Sequence, residues 1–126
     1  MSVVKTANLV KDYSLNDISV HALRGVDLSF EAGEFSAVAG PSGSGKSTFL
    51  HLVGCLDVPS SGNVYIDEKD TGTLNKKDLA MLRREKIGFI FQAYNLIPVL
   101  SAIENVSLPL TLLGYDAHEI RDRSLK

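Results

Sequence analysis

The sequence predicts an α/β fold, in which antiparallel strands precede a strand, a glycine-rich loop and a helix. Two stretches near the amino terminus, VVKTANLVKDY and ISVHALRGVDLSF, carry partly alternating apolar residues, as half-buried strands do. A short apolar segment, EFSAVAG, then runs directly into GPSGSGKST. A helix is predicted from about Gly45 to Val53, so this region forms the first half of a βα unit.

Composition is typical of a globular protein without a nucleic-acid partner. The 126 residues include 13 Lys and Arg against 15 Asp and Glu, and 44% are hydrophobic. The net charge of -2 lacks the basic excess of a nucleic-acid-binding surface. The single cysteine, Cys55, is predicted to be a small core residue. No stretch approaches the roughly 18 apolar residues of a membrane span, so a cytoplasmic chain is expected.

The remaining elements follow from turn and capping signals. The two amino-terminal strands are predicted to be joined by SLND, and VPSSGNVYIDEKDTG is predicted to form a turn, a strand and a turn. Asn75 can cap a helix of about ten residues, because Asp78 falls at the third helical position. IGFIF is predicted to be a buried strand ending at Gln92, and QAYNLIPVL a loop.

Two capping boxes predict the helices of the carboxyl-terminal third. Ser101 with Glu104 predicts a short helix that ends before Pro109. Asp116 with Glu119 predicts a second helix, AHEIRDRSLK, which continues to the last residue.

The strongest chemical signal is the pattern GxxxxGK[ST], formed by Gly40, Gly45, Lys46 and Ser47 between a predicted strand and a predicted helix. Glycines allow the backbone to approach a phosphate, and successive amides can form an anion nest at the positive end of the helix dipole. Lys46 would reach the β and γ phosphates, and the Ser47 hydroxyl would bind Mg²⁺. The predicted nucleotide-binding residues of the loop are Gly40, Pro41, Ser42, Gly43, Ser44, Gly45, Lys46, Ser47 and Thr48. The alternative is a glycine-rich turn without a ligand.

The residues around this loop resemble the nucleotide-binding domains of ABC transporters. ALRGVDLSFEAGEFSAVAGPSGSGKSTFLHLVGCLDVPSSGNVYID is similar to their amino-terminal core, and IGFIFQAYNLIPVLSAIENVSLPL to their Q-loop and the start of their helical subdomain. The wording FQAYNLIP with SAIENVSLPL is most similar to the lipoprotein-releasing and macrolide-exporter branch. The resemblance implies an incomplete P-loop NTPase fold of ABC type. Residues 1–92 would form the core, and residues 93–126 the start of a truncated helical subdomain.

The resemblance also implies roles for individual residues. Tyr13 falls where the family places an aromatic ring that stacks on adenine, although an ordinary strand tyrosine is the alternative. Gln92 matches the Q-loop glutamine, which reaches Mg²⁺ and the attacking water; a polar strand end is the alternative. Lys46 and Gln92 are therefore the candidate catalytic residues, and Ser47 and Gln92 the candidate metal ligands.

The partners that the resemblance implies are a membrane-spanning permease subunit and a second nucleotide-binding domain. The loop from Asn95 to Pro98 would face the permease, and exposure of Leu96 and Ile97 would suit such docking, whereas simple burial is the alternative. The protein would then lie in the cytoplasm, at the inner face of the plasma membrane.

The sequence lacks three segments that the family uses for hydrolysis: the LSGGQ signature, an apolar strand ending in Asp-Glu, and a switch histidine. Asp67 and Glu68 follow three apolar residues and imitate the second of these, but a solvated turn at the end of an antiparallel strand is the better interpretation. We therefore expect ATP–Mg²⁺ binding without turnover by this chain alone. A non-hydrolysing fragment or split subunit is one alternative. A small P-loop kinase or GTPase is another, although its lid arginines or guanine-reading motif are not found.

Overall fold

The computed structural model of the protein describes residues 2–15 and 18–126. The chain divides into two compact units, Met1–Arg83 and Arg84–Lys126. No helix within the described ranges has both the length and the apolar composition that crossing a bilayer requires.

The first unit is built on a four-stranded antiparallel sheet. Its strands are β1 (Ser2–Leu15), β2 (Ile18–Glu31), β3 (Ser61–Ile66) and β4 (Lys69–Asp70), in the order β2-β1-β3-β4. The two predicted amino-terminal strands are confirmed. Of the predicted SLND turn, Asn16 and Asp17 lie outside the described residues.

Strand β1 carries an irregularity that both of its neighbours accommodate. Its pairing with β2 shifts register after Thr6, where the buried threonine hydroxyl donates to Val26 O (2.9 Å) and accepts from Leu28 N (3.0 Å). Asn8 adopts a positive φ of 45°. A Cβ added at Gly62 of β3 would lie 2.1 Å from Asn8 O, so only glycine fits there.

Asp67 and Glu68 form the tight turn between β3 and β4. Their φ angles are 45° and 66°, and the flanking pairs are Ile66 with Lys69 and Tyr65 with Asp70. Two positive φ angles in a two-residue hairpin loop are the pattern of a type I′ turn. The prediction of a turn at the end of an antiparallel strand is confirmed.

Helix α1 (Lys46–Val53) packs against the sheet through one face. Phe49 and Leu52 are buried, and the Phe49 ring lies 6.3 Å from that of Phe30 on β2. Leu50, by contrast, is exposed. It points away because helical neighbours one residue apart lie on different faces.

Cys55 ends α1 in an uncommon conformation. Cys55 N donates to Leu52 O (3.0 Å) and Leu56 N to His51 O (2.8 Å), which is the Schellman pattern. The left-handed position, usually glycine, is occupied by Cys55 with a φ of 54°. Cys55 is buried, which confirms the prediction of a core residue. The same burial raises the pKa of its thiol.

Helix α2 (Lys76–Lys86) begins as predicted. Asn75 Oδ1 accepts from the amides of Lys77 (2.9 Å) and Asp78 (3.0 Å), and Leu82 is its buried residue. Between β4 and α2, Thr71–Thr73 form a short 3-10 turn.

Two predicted strands, EFSAVAG and IGFIF, are not strands in the structure. Phe35 is 98% exposed in the first and Ile90 is 99% exposed in the second. An apolar strand of this kind is stabilised by parallel neighbours on both sides. The described residues provide no such neighbours, because all four strands belong to the antiparallel sheet.

The second unit contains α3 (Ala102–Leu113) and α4 (Ala117–Ser124). Both predicted capping residues are confirmed: the Ser101–Glu104 box is complete, and Asp116 accepts from two amides of α4. The predicted end before Pro109 is wrong. Proline removes one helical hydrogen bond but does not end α3, which continues to a left-handed Gly114 with a φ of 82°.

Replacing Gly62 by Ala should destabilise the first unit by about 2 to 4 kcal/mol, because a Cβ at a positive φ would also clash with Asn8 O. Gly33→Ala is the matched control, since Gly33 has nearly the same φ and no atom within 4 Å of an added Cβ. It should cost only about 1 kcal/mol. Urea unfolding followed by circular dichroism measures both, and equal losses would contradict the close approach.

Candidate functional site

The glycine loop leads from the irregular segment 34–41 into α1. Gly43 and Gly45 have φ angles of 79° and 90°, which confirms that this turn uses backbone angles that favour glycine. Gly45 is also the N-cap of α1, and no side chain caps the helix there. The amides of the first helical turn therefore provide donors for an anion.

Strand β2 fixes the position of this loop. In the β1–β2 ladder, Lys11 pairs with Leu23 and Asp12 with His21, so that Ala22 is left between them as a bulge. A Cβ added at Gly45 would lie 2.5 Å from Ala22 O and 2.9 Å from the Leu23 side chain. The start of α1 thus sits directly against the β1–β2 hairpin.

Lys46 folds back across its own loop. Its Nζ donates to Pro41 O (2.7 Å) and to Ser44 Oγ (3.3 Å), which places the ammonium inside the curve of the loop. The Ser44 amide also donates to Pro41 O, at 3.3 Å, so the loop is partly closed by its own hydrogen bonds. A phosphate entering the loop would replace these neutral acceptors of the Lys46 ammonium with charged phosphate oxygens.

A cavity of about 300 Å³ lies beside the loop. Gly40, Pro41 and Lys46 line it together with apolar residues of β2 and α1. The loop therefore borders open space on at least one side, as an anion-binding loop requires.

Tyr13 belongs to a polar cluster on β1 that sequence reasoning missed. Its hydroxyl donates to Asp57 Oδ2 (3.0 Å), and Lys11 Nζ donates to Asp57 Oδ1 (2.9 Å) and to Val58 O (2.8 Å). Lys11 Nζ also lies 4.9 Å from the centre of the Tyr13 ring. The alternation of Lys11 and Tyr13 on one strand face was the only sequence signal, since Asp57 is distant in sequence.

Burial tends to raise the pKa of the Asp57 carboxyl, but hydrogen bonds from Lys11, Val58 and Tyr13 outweigh it. The pKa of Asp57 therefore lies below its ordinary value. The carboxylate is charged at neutral pH and neutralises the buried Lys11 ammonium.

Gln92 lies in the second unit, in the exposed irregular segment that follows residue 86. In the same unit, Asn105 of α3 forms hydrogen bonds to the loop from Asn95 to Pro98. Its Oδ1 accepts from Ile97 N (2.8 Å), and its Nδ2 donates to Ile97 O (3.2 Å). The same Nδ2 also donates to Leu100 O (3.1 Å). No role for Asn105 was expected from the sequence. Leu96 and Ile97 are both exposed, so their exposure rather than their burial is confirmed.

A GxxxxGK[ST] loop directly before a helix, packed beside an antiparallel sheet, is the arrangement of the P-loop class of folds. The model of the ABC transporter family matches residues 23–125. The chain belongs to the ABC transporter family. Within that family it is similar to the ATP-binding proteins.

The relatives of the chain include an ABC transporter ATP-binding protein of Methanocaldococcus jannaschii, 50% identical over 108 residues that cover 86% of this chain and 46% of the relative. A Thermotoga maritima ABC transporter ATP-binding protein is 45% identical over 97% of this chain and 52% of the relative. A Brucella abortus macrolide export ATP-binding/permease protein is 44% identical over 97% of this chain and 19% of its own length.

One similar solved structure is a dimeric ATP-binding cassette in a post-hydrolysis state with bound ADP and Pi. It has a TM-score of 0.90 and 48% identity, and the match covers 97% of this chain and 54% of that one. The predicted P-loop NTPase fold of ABC type is confirmed. The chain spans about half the length of the first two relatives.

Acid should weaken the first unit partly through Asp57. Because the folded-state pKa is lowered, the stabilisation is fully present above the unfolded value of about 3.9 and is lost as the pH falls through the folded pKa. The free energy of unfolding, measured with urea, should fall less between pH 7 and pH 3 in Asp57→Asn than in the wild type. Identical losses would contradict the assignment.

Proposed function

We propose that the chain binds ATP and Mg²⁺ at the glycine loop, as the ATP-binding part of an ABC transporter. The observation that carries this proposal is the fixed start of α1, where Gly45 lies against Ala22 and the Lys46 ammonium lies within the loop. The nine loop residues, Gly40 to Thr48, would surround the phosphates. Membership of the family supports the same site.

Within this site Lys46 would neutralise the β and γ phosphates, exchanging Pro41 O for phosphate oxygens. Ser47 lies in the first turn of α1, and its hydroxyl is the hard oxygen ligand that Mg²⁺ prefers. The described residues contain no cluster of three or more acidic, histidine or cysteine ligands, so most of the magnesium shell would come from phosphate and water. Mg²⁺ would draw charge from the γ phosphate.

Two further residues complete the proposal. Tyr13 would stack on the adenine, with the hairpin that carries it held against Gly45. Gln92 would contact Mg²⁺ and the attacking water in a hydrolysing assembly. Lys46 and Gln92 are thus the proposed catalytic residues, and Ser47 and Gln92 the proposed metal ligands.

The proposed partners are a membrane-spanning permease and a second ATP-binding domain. A macrolide export ATP-binding/permease protein among the relatives supports export, or the related release of lipoproteins, as the work performed. The dimeric state of the similar solved cassette supports pairing of two domains. Exposed Leu96 and Ile97 on the Asn105-bound loop would contact the permease, at the inner face of the plasma membrane.

The proposed organisation is a core of residues 1–92 followed by the start of a helical subdomain in residues 93–126. The two compact units divide between Arg83 and Arg84. That division describes packing, whereas the proposed boundary after residue 92 describes function. Hydrolysis would need further groups, because Asp67 and Glu68 lie in a hairpin turn. A non-hydrolysing nucleotide-binding module is therefore the second candidate function.

Lys46→Ala should weaken ATP–Mg²⁺ binding at least about tenfold, since it removes a charge-assisted contact worth roughly 1.5 to 3 kcal/mol. Ser47→Ala should instead lower affinity mainly when Mg²⁺ is present. Isothermal titration calorimetry with and without Mg²⁺ separates the two effects. His118→Ala, on exposed α4, is the control and should bind normally. Unchanged binding in Lys46→Ala would refute the site.

The purified chain should bind ATP but should release phosphate from it no faster than ATP hydrolyses spontaneously in buffer. A coupled phosphate-release assay tests this, with Lys46→Ala as the background measurement. If the chain does hydrolyse ATP, Glu68→Gln decides whether the hairpin turn takes part: a loss of turnover would assign the base to Glu68 and overturn the proposal, and unchanged turnover would place the base elsewhere in the chain.

A further inference from the structure

We propose that Asp57 and Lys11 are positioning residues, which hold the Tyr13 ring in the orientation that accepts the nucleotide base. This inference rests on the proposed function, and it assigns a role to a cluster of side chains rather than to the phosphate loop. The three residues come from two places in the chain, β1 and the segment after α1. Their contacts are therefore a product of the fold.

The hydroxyl of Tyr13 is fixed by a charged acceptor. It donates to Asp57 Oδ2 at 3.0 Å, while Asp57 Oδ1 accepts from Lys11 Nζ at 2.9 Å and from Val58 N at 2.8 Å. Asp57 therefore cannot rotate freely, because both of its oxygens are engaged. A hydrogen bond from the tip of a tyrosine to such a carboxylate restrains the direction in which the side chain points before a ligand arrives, which reduces the entropic cost of stacking.

Lys11 determines which face of the ring remains for a base. Its Nζ lies 4.9 Å from the ring centre, in the position of a cation–π contact, and only 8% of the residue is exposed. An ammonium over one face leaves only the opposite face for a planar base. Lys11 thus selects the stacking face, and Asp57 fixes the direction in which the Tyr13 side chain points.

The same cluster connects the base site to the phosphate site. Asp57 follows the Schellman end of α1 by one residue, and Lys46 begins that helix. On the other side, Lys11 pairs with Leu23, which lies against Gly45. Both routes are short, so the spacing between ring and phosphate loop is fixed by α1 and by the hairpin.

The test compares ATP with tripolyphosphate, which keeps the phosphates and lacks the base. Tyr13→Phe keeps the ring and removes only the hydroxyl, and Asp57→Asn removes the charge. Each should weaken ATP–Mg²⁺ binding by about three- to tenfold in calorimetry, with no change for tripolyphosphate. The double variant should bind ATP no more weakly than Asp57→Asn does, because both changes act on the same hydrogen bond between Tyr13 and Asp57.

Matched controls are Tyr65→Phe on β3 and Asp122→Asn on α4, which should bind ATP as the wild type does. The chain has no tryptophan, so tyrosine emission is a second readout: ATP should quench a component that Tyr13→Phe alters and Tyr65→Phe does not. If Asp57→Asn folds poorly because Lys11 loses its partner, Tyr13→Phe alone decides the matter.

A Tyr13→Phe variant that binds ATP as tightly as the wild type does would overturn the inference and leave the proposed function intact. Equal losses for ATP and tripolyphosphate would also overturn it, because the cluster would then act through the phosphate loop. A wild-type chain that binds neither ligand, or a Lys46→Ala variant that binds both normally, would instead refute the proposed function, and the inference with it.

Discussion

The contact between Gly45 and the carbonyl of Ala22 is the constraint on which the site depends. No other residue fits at position 45, because an added Cβ would lie 2.5 Å from that oxygen and the φ is 90°. The bulge at Ala22 brings the carbonyl to this place. The helix that begins at Lys46 is thereby held against a hairpin, so its first-turn amides have a fixed direction even without a bound anion.

Strand β1 carries this arrangement because it pairs with β2 on one side and β3 on the other. Leu9 of β1, Val64 of β3 and Leu52 of α1 are all buried. The positive φ of Asn8 and the glycine at position 62 let the strands keep their pairing across an irregular stretch. The phosphate loop is thus supported by an antiparallel sheet that contributes no residue to the phosphate-binding pattern itself.

Local signals predicted what is determined locally. Asn75, Ser101 and Asp116 cap their helices as expected, and the glycine pattern gave the loop and its helix. Expectations that needed distant partners were less successful. EFSAVAG and IGFIF have strand composition but no neighbouring strands among the described residues, and the contact of Tyr13 with Asp57 spans 44 positions. Pro109 does not end α3, because the loss of one hydrogen bond does not outweigh the stability of a continuous capped helix.

Amide chemical shifts of the isotopically labelled chain, titrated with ATP and Mg²⁺, show whether the glycine loop holds the phosphates. The largest saturable shifts should fall on the amides of Gly43, Gly45, Lys46, Ser47 and Thr48. A saturable response centred instead on the cavity of about 430 Å³ that Asn63 and Thr73 help to line, with the loop amides unchanged, would contradict this expectation.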